Sequence, residues 1–253
     1  MPTAHTPNSL RSWLQAATSR TLLAVGLFVG LSACIGVAGA AGSGGDTWQE
    51  EVLLHDGQTV VVQRSQTYRG RFEPGSSAPV GDHTVRFVLP REQREWSWTS
   101  DYGPELGRTN FNLVAIHAKD GVPYIVATPN LCLSYNKWGR PNPPYVLFKG
   151  EDNGQWKRIT MEQLPAEFTT INVAVSAVSH FRIKQFQEYP VVPAAKVREF
   201  NSAQGSPEYK TIVREPMTSE QILSMCDELV NYKGYWIDPR NPFARRNIDD
   251  KQK

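Results

Sequence analysis

Along most of this chain, apolar and polar residues alternate in short runs broken by turn residues. "WQEEVLLHDGQTVVVQR" at 48–64 carries two β-branched or apolar runs around Asp56-Gly57, which predicts a hairpin. "REWSWTS" alternates, with Trp96 and Trp98 on one face. "FNLVAIHAKDGVPYIVA" predicts a second hairpin turning at Asp120-Gly121, and "YVLFKGEDNGQWKRI" a third turning near Asn153-Gly154. "TTINVAVSAV" reads as a strand with Ile171, Val173 and Val175 on one face. "HFRIK" reads as another, with Phe181 and Ile183 inward and His180, Arg182 and Lys184 outward. Period-two patterning repeated at short intervals predicts a mainly β domain: an antiparallel sandwich or barrel-like fold of hairpins.

One helix is predicted near the end. In "MTSEQILSMCDELVNYKG", Thr218 and Gln221 have the spacing of a capping box. Ile222, Leu223, Cys226, Leu229 and Val230 make an apolar stripe, and Gly234 stops the helix. The folded domain is expected to span 48–240, with 241–253 a charged tail that frays.

Composition narrows the function classes. The chain has 253 residues, 27 basic and 25 acidic. Arg11 and Arg20 lie in an N-terminal stretch without acids; set aside, they leave 25 bases facing 25 acids. A near-neutral domain lacks the basic footprint of a nucleic-acid binder.

Behind Arg11 and Arg20 comes "TLLAVGLFVGLSA", thirteen residues without a charge, followed at once by Cys34. That is a positive n-region and a signal-peptide h-region. Leu31-Ser32-Ala33-Cys34 then resembles the lipobox of a bacterial lipoprotein precursor at all four positions. The resemblance implies a signal peptide over 1–33, cleavage before Cys34, and acyl chains on Cys34 that hold the protein to a membrane. Ile35 in place of Asp implies the outer membrane, with the domain facing the periplasm or the exterior. Residues 34–47, ending in "GSGGD", are the expected flexible tether. Three other readings fit the same residues: an uncleaved helix running on through "CIGVAGAAG", a plain secretory cut at "AGA" 38–40, and a core helix. The first two also place the domain outside the cytoplasm. The opening of the domain is similar to proteobacterial envelope proteins, a likeness that implies no activity.

If Cys34 carries lipid, Cys132 and Cys226 remain as an even pair, and an oxidising compartment favours a disulfide between them. Two separate buried thiols are the alternative. No Cys or His residues have the spacing of metal ligands, so neither metal nor cofactor is expected.

The most conspicuous local feature is "PNLCLSYNKWGRPNPPYVLF" at 129–148, read as one long connection. Tyr135, Trp138 and Tyr145 on a proline-stiffened loop could contact an envelope protein, a peptide or a glycan with little loss of entropy. They could equally cover the open end of a sheet. Ser134 and Lys137 match S-x-x-K, but on a predicted loop and without the partner motifs of that enzyme class. His117 and His180 fall in strand patterns. No nucleophile elbow, zinc-protease, phosphate-loop or dinucleotide motif occurs. The sequence therefore predicts a membrane-anchored envelope protein with a non-enzymatic binding or assembly role. The competing class is a secreted hydrolase of glycan or peptidoglycan using Asp101 and Glu105.

Overall fold

The structure is a computed structural model that describes residues 45–251, apart from positions 75, 91, 93 and 176–179. Cys34 and the expected signal segment lie outside the described residues. Strands β1 (Asp46–Leu53), β2 (Thr59–Tyr68), β3 (Val80–Val88) and β4 (Glu95–Ser100) form an antiparallel sheet in that order. After a two-residue pair, β5 (Tyr102–Gly103) and β6 (Arg108–Thr109), come β7 (Phe111–Lys119) and β8 (Val122–Pro129). The short helix α1 (Leu131–Lys137) follows, then β9 (Val146–Gly150) and β10 (Trp156–Ile159). The second sheet has the order β10-β9-β8-β7 and is also antiparallel. All three predicted hairpins are present. Gly57, Gly121 and Gly154 each carry the positive φ that their tight turns require.

The two sheets pack face to face as a sandwich. Val52, Val62, Val85, Phe87, Trp96 and Trp98 of the first meet Leu113, Ile125 and Val146 of the second in one buried cluster. The outer face of the second sheet is covered as well. Val114, Tyr124 and Val126 pack under Leu164, Phe168, Ile171 and Ile212. Burial on both faces explains why β7 and β8 read as near-continuous apolar runs rather than as alternation.

The free edge of β1 is covered by later segments. Glu51 donates its amide to the Val192 carbonyl at 2.9 Å, and Val192 donates to Gln49 at 2.8 Å. Helices α2 (His180–Gln187) and α3 (Ala194–Ser202) follow on either side of this contact. Ile183, Phe186, Val192 and Val197 pack against Trp48 as a third cluster. This contact takes the edge groups of Gln49 and Glu51, so pairing with another chain is blocked there.

Five sequence expectations change. Residues 180–184 are helical, because Ile183 and Phe186 lie three apart and bury together. Residues 171–175 run as an irregular strap. Its Val173 faces the inter-sheet core while Ile171 and Val175 face the outer cluster. The 129–148 connection contains α1. Near the end, helix α4 (Ser219–Met225) has the capping box predicted at Thr218 and Gln221 but stops at Cys226. Beyond it, the backbone is pinned by tertiary partners. Arg140 donates to the carbonyls of Cys226 and Asp227 at 2.9 Å, and Leu229 donates to Asn136 Oδ1 at 2.9 Å. The rest of the predicted helix is a hairpin, β11 (Val230–Tyr232) and β12 (Tyr235–Ile237). The expected fraying tail contains helix α5 (Ala244–Lys251), which buries Ile248 and ties Asp249 to Tyr232 Oη at 3.0 Å and Lys233 Nζ at 2.6 Å. Among the described residues, no helix is long and apolar enough to cross a membrane.

Candidate functional site

The aromatic stretch singled out in the sequence holds the fold together. Tyr135 and Tyr145 are buried, at 3% and 5% exposure. Tyr145 Oη accepts from the Val213 amide and lies 3.1 Å from the Thr211 carbonyl. The Trp138 ring packs 4.5 Å from Phe111, and its Nε1 donates to Asn110 Oδ1 at 3.2 Å. These rings are drawn inward because they cap the end of the apolar core, which was the alternative that the sequence left open. They do not form an exposed contact surface.

Ser134 and Lys137 sit on α1, not on a loop. Both end at Asn110: the serine hydroxyl donates to its carbonyl, and Lys137 Nζ donates to its Oδ1 at 2.7 Å. Lys137 also reaches Glu105 at 2.5 Å. That hydrogen bond holds the Glu105 carboxyl below its ordinary range. A general acid for glycoside cleavage needs the opposite shift. Cys132 and Cys226 are brought together. Their Cα atoms stand 5.3 Å apart across 94 residues of sequence, with the sulfurs at disulfide distance.

Within the sandwich, the first sheet carries a buried charged group that sequence reading missed. Glu50, Arg64 and His83 are wholly buried. Arg64 Nη1 donates to Glu50 Oε1 at 2.7 Å and to the Ala174 carbonyl at 3.1 Å, and its Nε donates to His83 Nε2 at 2.8 Å. Trp48 Nε1 donates to Glu50 Oε2 at 2.9 Å, and its ring lies 4.9 Å from the guanidinium carbon. Burial, then the charge of Arg64, holds His83 well below the ordinary histidine range, so it stays neutral. The available signal was the strand period: Trp48, Glu50 and Val52 share one face.

A cleft of about 380 Å³ opens beside this edge, at the end of the first hairpin. Four distant segments build it. The first hairpin supplies Leu53 and His55, and residues 167–170, which lead into the strap, supply Glu167 and Thr170. Helix α3 supplies Arg198, and Lys210 closes the far side. Two asparagines hold these walls. Asn172 donates to the Leu53 carbonyl at 3.0 Å and the Ile116 carbonyl at 2.7 Å, and accepts from the Ile116 amide at 2.9 Å. It thereby stitches β1 to β7. Asn201 on α3 donates to the Val173 carbonyl at 2.7 Å and accepts from the Val175 amide at 3.1 Å. The amide of Ile212 and the hydroxyl of Thr211 both reach the Thr169 carbonyl, at 2.9 and 2.7 Å.

Histidines back this cleft. The His55 ring stands edge-on to Phe168 at 4.8 Å, and His117 stacks on the same ring at 4.6 Å. His117 Nε2 lies 2.9 Å from the Thr170 carbonyl, and burial brings its pKa down to about 4. Nδ1 of each histidine is buried without a hydrogen-bond partner. Glu167 is engaged by Lys119 at 2.7 Å. Arg198 and Lys210 are exposed and make no ion pair among the described residues. The cleft therefore offers two free cations and an imidazole beside an apolar wall, an arrangement suited to holding an anion. Comparison with known families, curated proteins and solved structures finds no match for this chain.

Proposed function

We propose that this protein is a lipid-anchored protein of the bacterial envelope whose β-rich domain binds a ligand or partner rather than transforming one. The observation that carries the reading is Leu31-Ser32-Ala33-Cys34, placed directly after an uncharged stretch of thirteen residues behind Arg11 and Arg20. Acyl chains on Cys34 give stable attachment, since a single chain holds only marginally. The Cys132–Cys226 pair supports the same placement, because such pairs form and persist in oxidising compartments. For the binding role, the support is the cleft with its uncommitted cations. Supporting it further, Glu105, one of the two carboxylates that hydrolysis would draw on, and the S-x-x-K pair are engaged elsewhere.

Labelled palmitate fed to cells expressing the chain tests the anchor. The wild type is expected to incorporate label and fractionate with membranes, and Cys34→Ala to lose both. Incorporation that survives the substitution rejects lipidation at Cys34.

A further inference from the structure

We propose that the cleft beside His55 binds a small anionic amphiphile: one carboxylate or phosphate head on a short apolar body. The inference rests on the binding role proposed above and not on the anchor. Two independent features of the cleft converge on this class.

The first is charge. Arg198 and Lys210 enter the same cleft from different segments, and neither is neutralised among the described residues. The carboxylate opposite, Glu167, is matched by Lys119. Among the lining residues the balance is therefore positive, which favours an anionic head over a cation, and the Glu51 carboxylate beside them is held by the Ala194 amide. The side chains that carry this charge come from α3 and from the segment at Lys210.

The second is shape and polarity. Leu53 is 39% exposed, unusual for a leucine beside a core, and it shares the cleft with Ile171 and Ala194. A volume of about 380 Å³ holds about a dozen non-hydrogen atoms at about 30 Å³ for each water-sized group. That is room for a head group and a short chain or ring, within the range of small-molecule sites.

The test uses the full chain in lipid nanodiscs, with empty discs as reference, and follows binding by calorimetry. The probe is 4-phenylbutyrate. Its matched controls are 4-phenylbutylamine and 4-phenylbutanol, with inorganic phosphate as a head without a body. Phenylbutyrate is expected to bind, the amine and the alcohol at least about 10-fold more weakly, and phosphate weakly. The double variant Arg198→Gln and Lys210→Gln is expected to lose about 10-fold or more for phenylbutyrate alone. Both positions are exposed, so the variant should fold, and its circular dichroism checks this. Equal binding of the acid and the amine overturns the proposal, as does wild-type affinity in the double variant. Phosphate binding without phenylbutyrate binding reduces the cleft to a plain anion site and overturns it too, and binding by none of the probes does the same. Palmitate labelling of the same preparations separates the two readings. Label without probe binding rejects the cleft assignment alone, and probe binding without label rejects the anchor alone.

Discussion

Arg64 Nη1 donates to Glu50 Oε1 at 2.7 Å, and neither side chain reaches solvent. Each charge depends on the other, because the inter-sheet core offers nothing else of comparable strength. Removing one partner of such a pair typically costs about 3–5 kcal/mol, since the other is left buried and uncompensated. Arg64→Met is therefore expected to lower unfolding free energy in urea by an amount in that range. Glu50→Leu combined with Arg64→Met should recover part of the loss, because no charge is then left buried, while Trp48 Nε1 and the Ala174 backbone groups still lose their partners. A double variant no better than Arg64→Met would show that the pair contributes through packing around Trp48 and not through charge.

Acid should destabilise the domain through its histidines. Burial drops His117 to about 4, opposed only in part by the Thr170 carbonyl, and it holds His83 well below the ordinary range. Both groups bind protons more readily in the unfolded chain, whose histidines titrate near about 6.5. Their stabilising contribution is present above about pH 6.5, is lost as pH falls, and for His117 is fully lost below about pH 4. For His117 that full loss is worth about 3 kcal/mol. Urea unfolding between pH 7 and pH 5 should show a falling free energy, in a window above the range of the carboxylates. His117→Phe, which keeps a ring against Phe168, should make that fall shallower. An unchanged slope would mean that His117 keeps an unfolded-like pKa.

Reductant should weaken the C-terminal third most. The Cys132–Cys226 pair joins the start of α1 to the end of α4, and the closed loop is long. A loop of this length is worth about 4–5 kcal/mol in the chain-entropy model, with measured values often about 2–4. Replacing both cysteines by serine is expected to lower stability by about 2–4 kcal/mol and to raise hydrogen exchange around β11 and β12 before the sandwich. A mass measurement after alkylation under non-reducing conditions reports the pairing directly. Free thiols at both positions would overturn it.

The hairpins were legible because their turns are local: Asp56-Gly57, Asp120-Gly121 and Asn153-Gly154 each place a glycine at positive φ between two runs. Trp96 and Trp98 were legible because β4 shows water one face only. Residues 180–184 were not, since five residues are too few to separate a period of 2 from one of 3.6. The end of α4 was hidden because Arg140 and Asn136, some 90 residues earlier, take the polar groups that would have continued the helix. The cleft had no sequence signature at all. His55, Glu167, Arg198 and Lys210 are unremarkable in their own neighbourhoods and meet only when Asn172 and Asn201 draw the strap and α3 against β1.

Asn172 gives the last test, because one amide side chain serves both sheets. It satisfies the Ile116 amide, the Ile116 carbonyl and the Leu53 carbonyl, imitating a strand where the strap has none. A buried backbone group left without its partner costs about 1–3 kcal/mol. Asn172→Ala strands three such groups, so a loss of about 3 kcal/mol or more is expected. Asn172→Asp keeps the acceptor for the Ile116 amide but loses both donated bonds and buries a charge, so it should fare no better. Hydrogen exchange at the Ile116 amide should accelerate in Asn172→Ala beyond what global destabilisation explains, because the edge of β7 then opens locally. Protection at that amide unchanged from wild type would show that the strap is held by Asn201 and the Thr169–Thr211 contact instead.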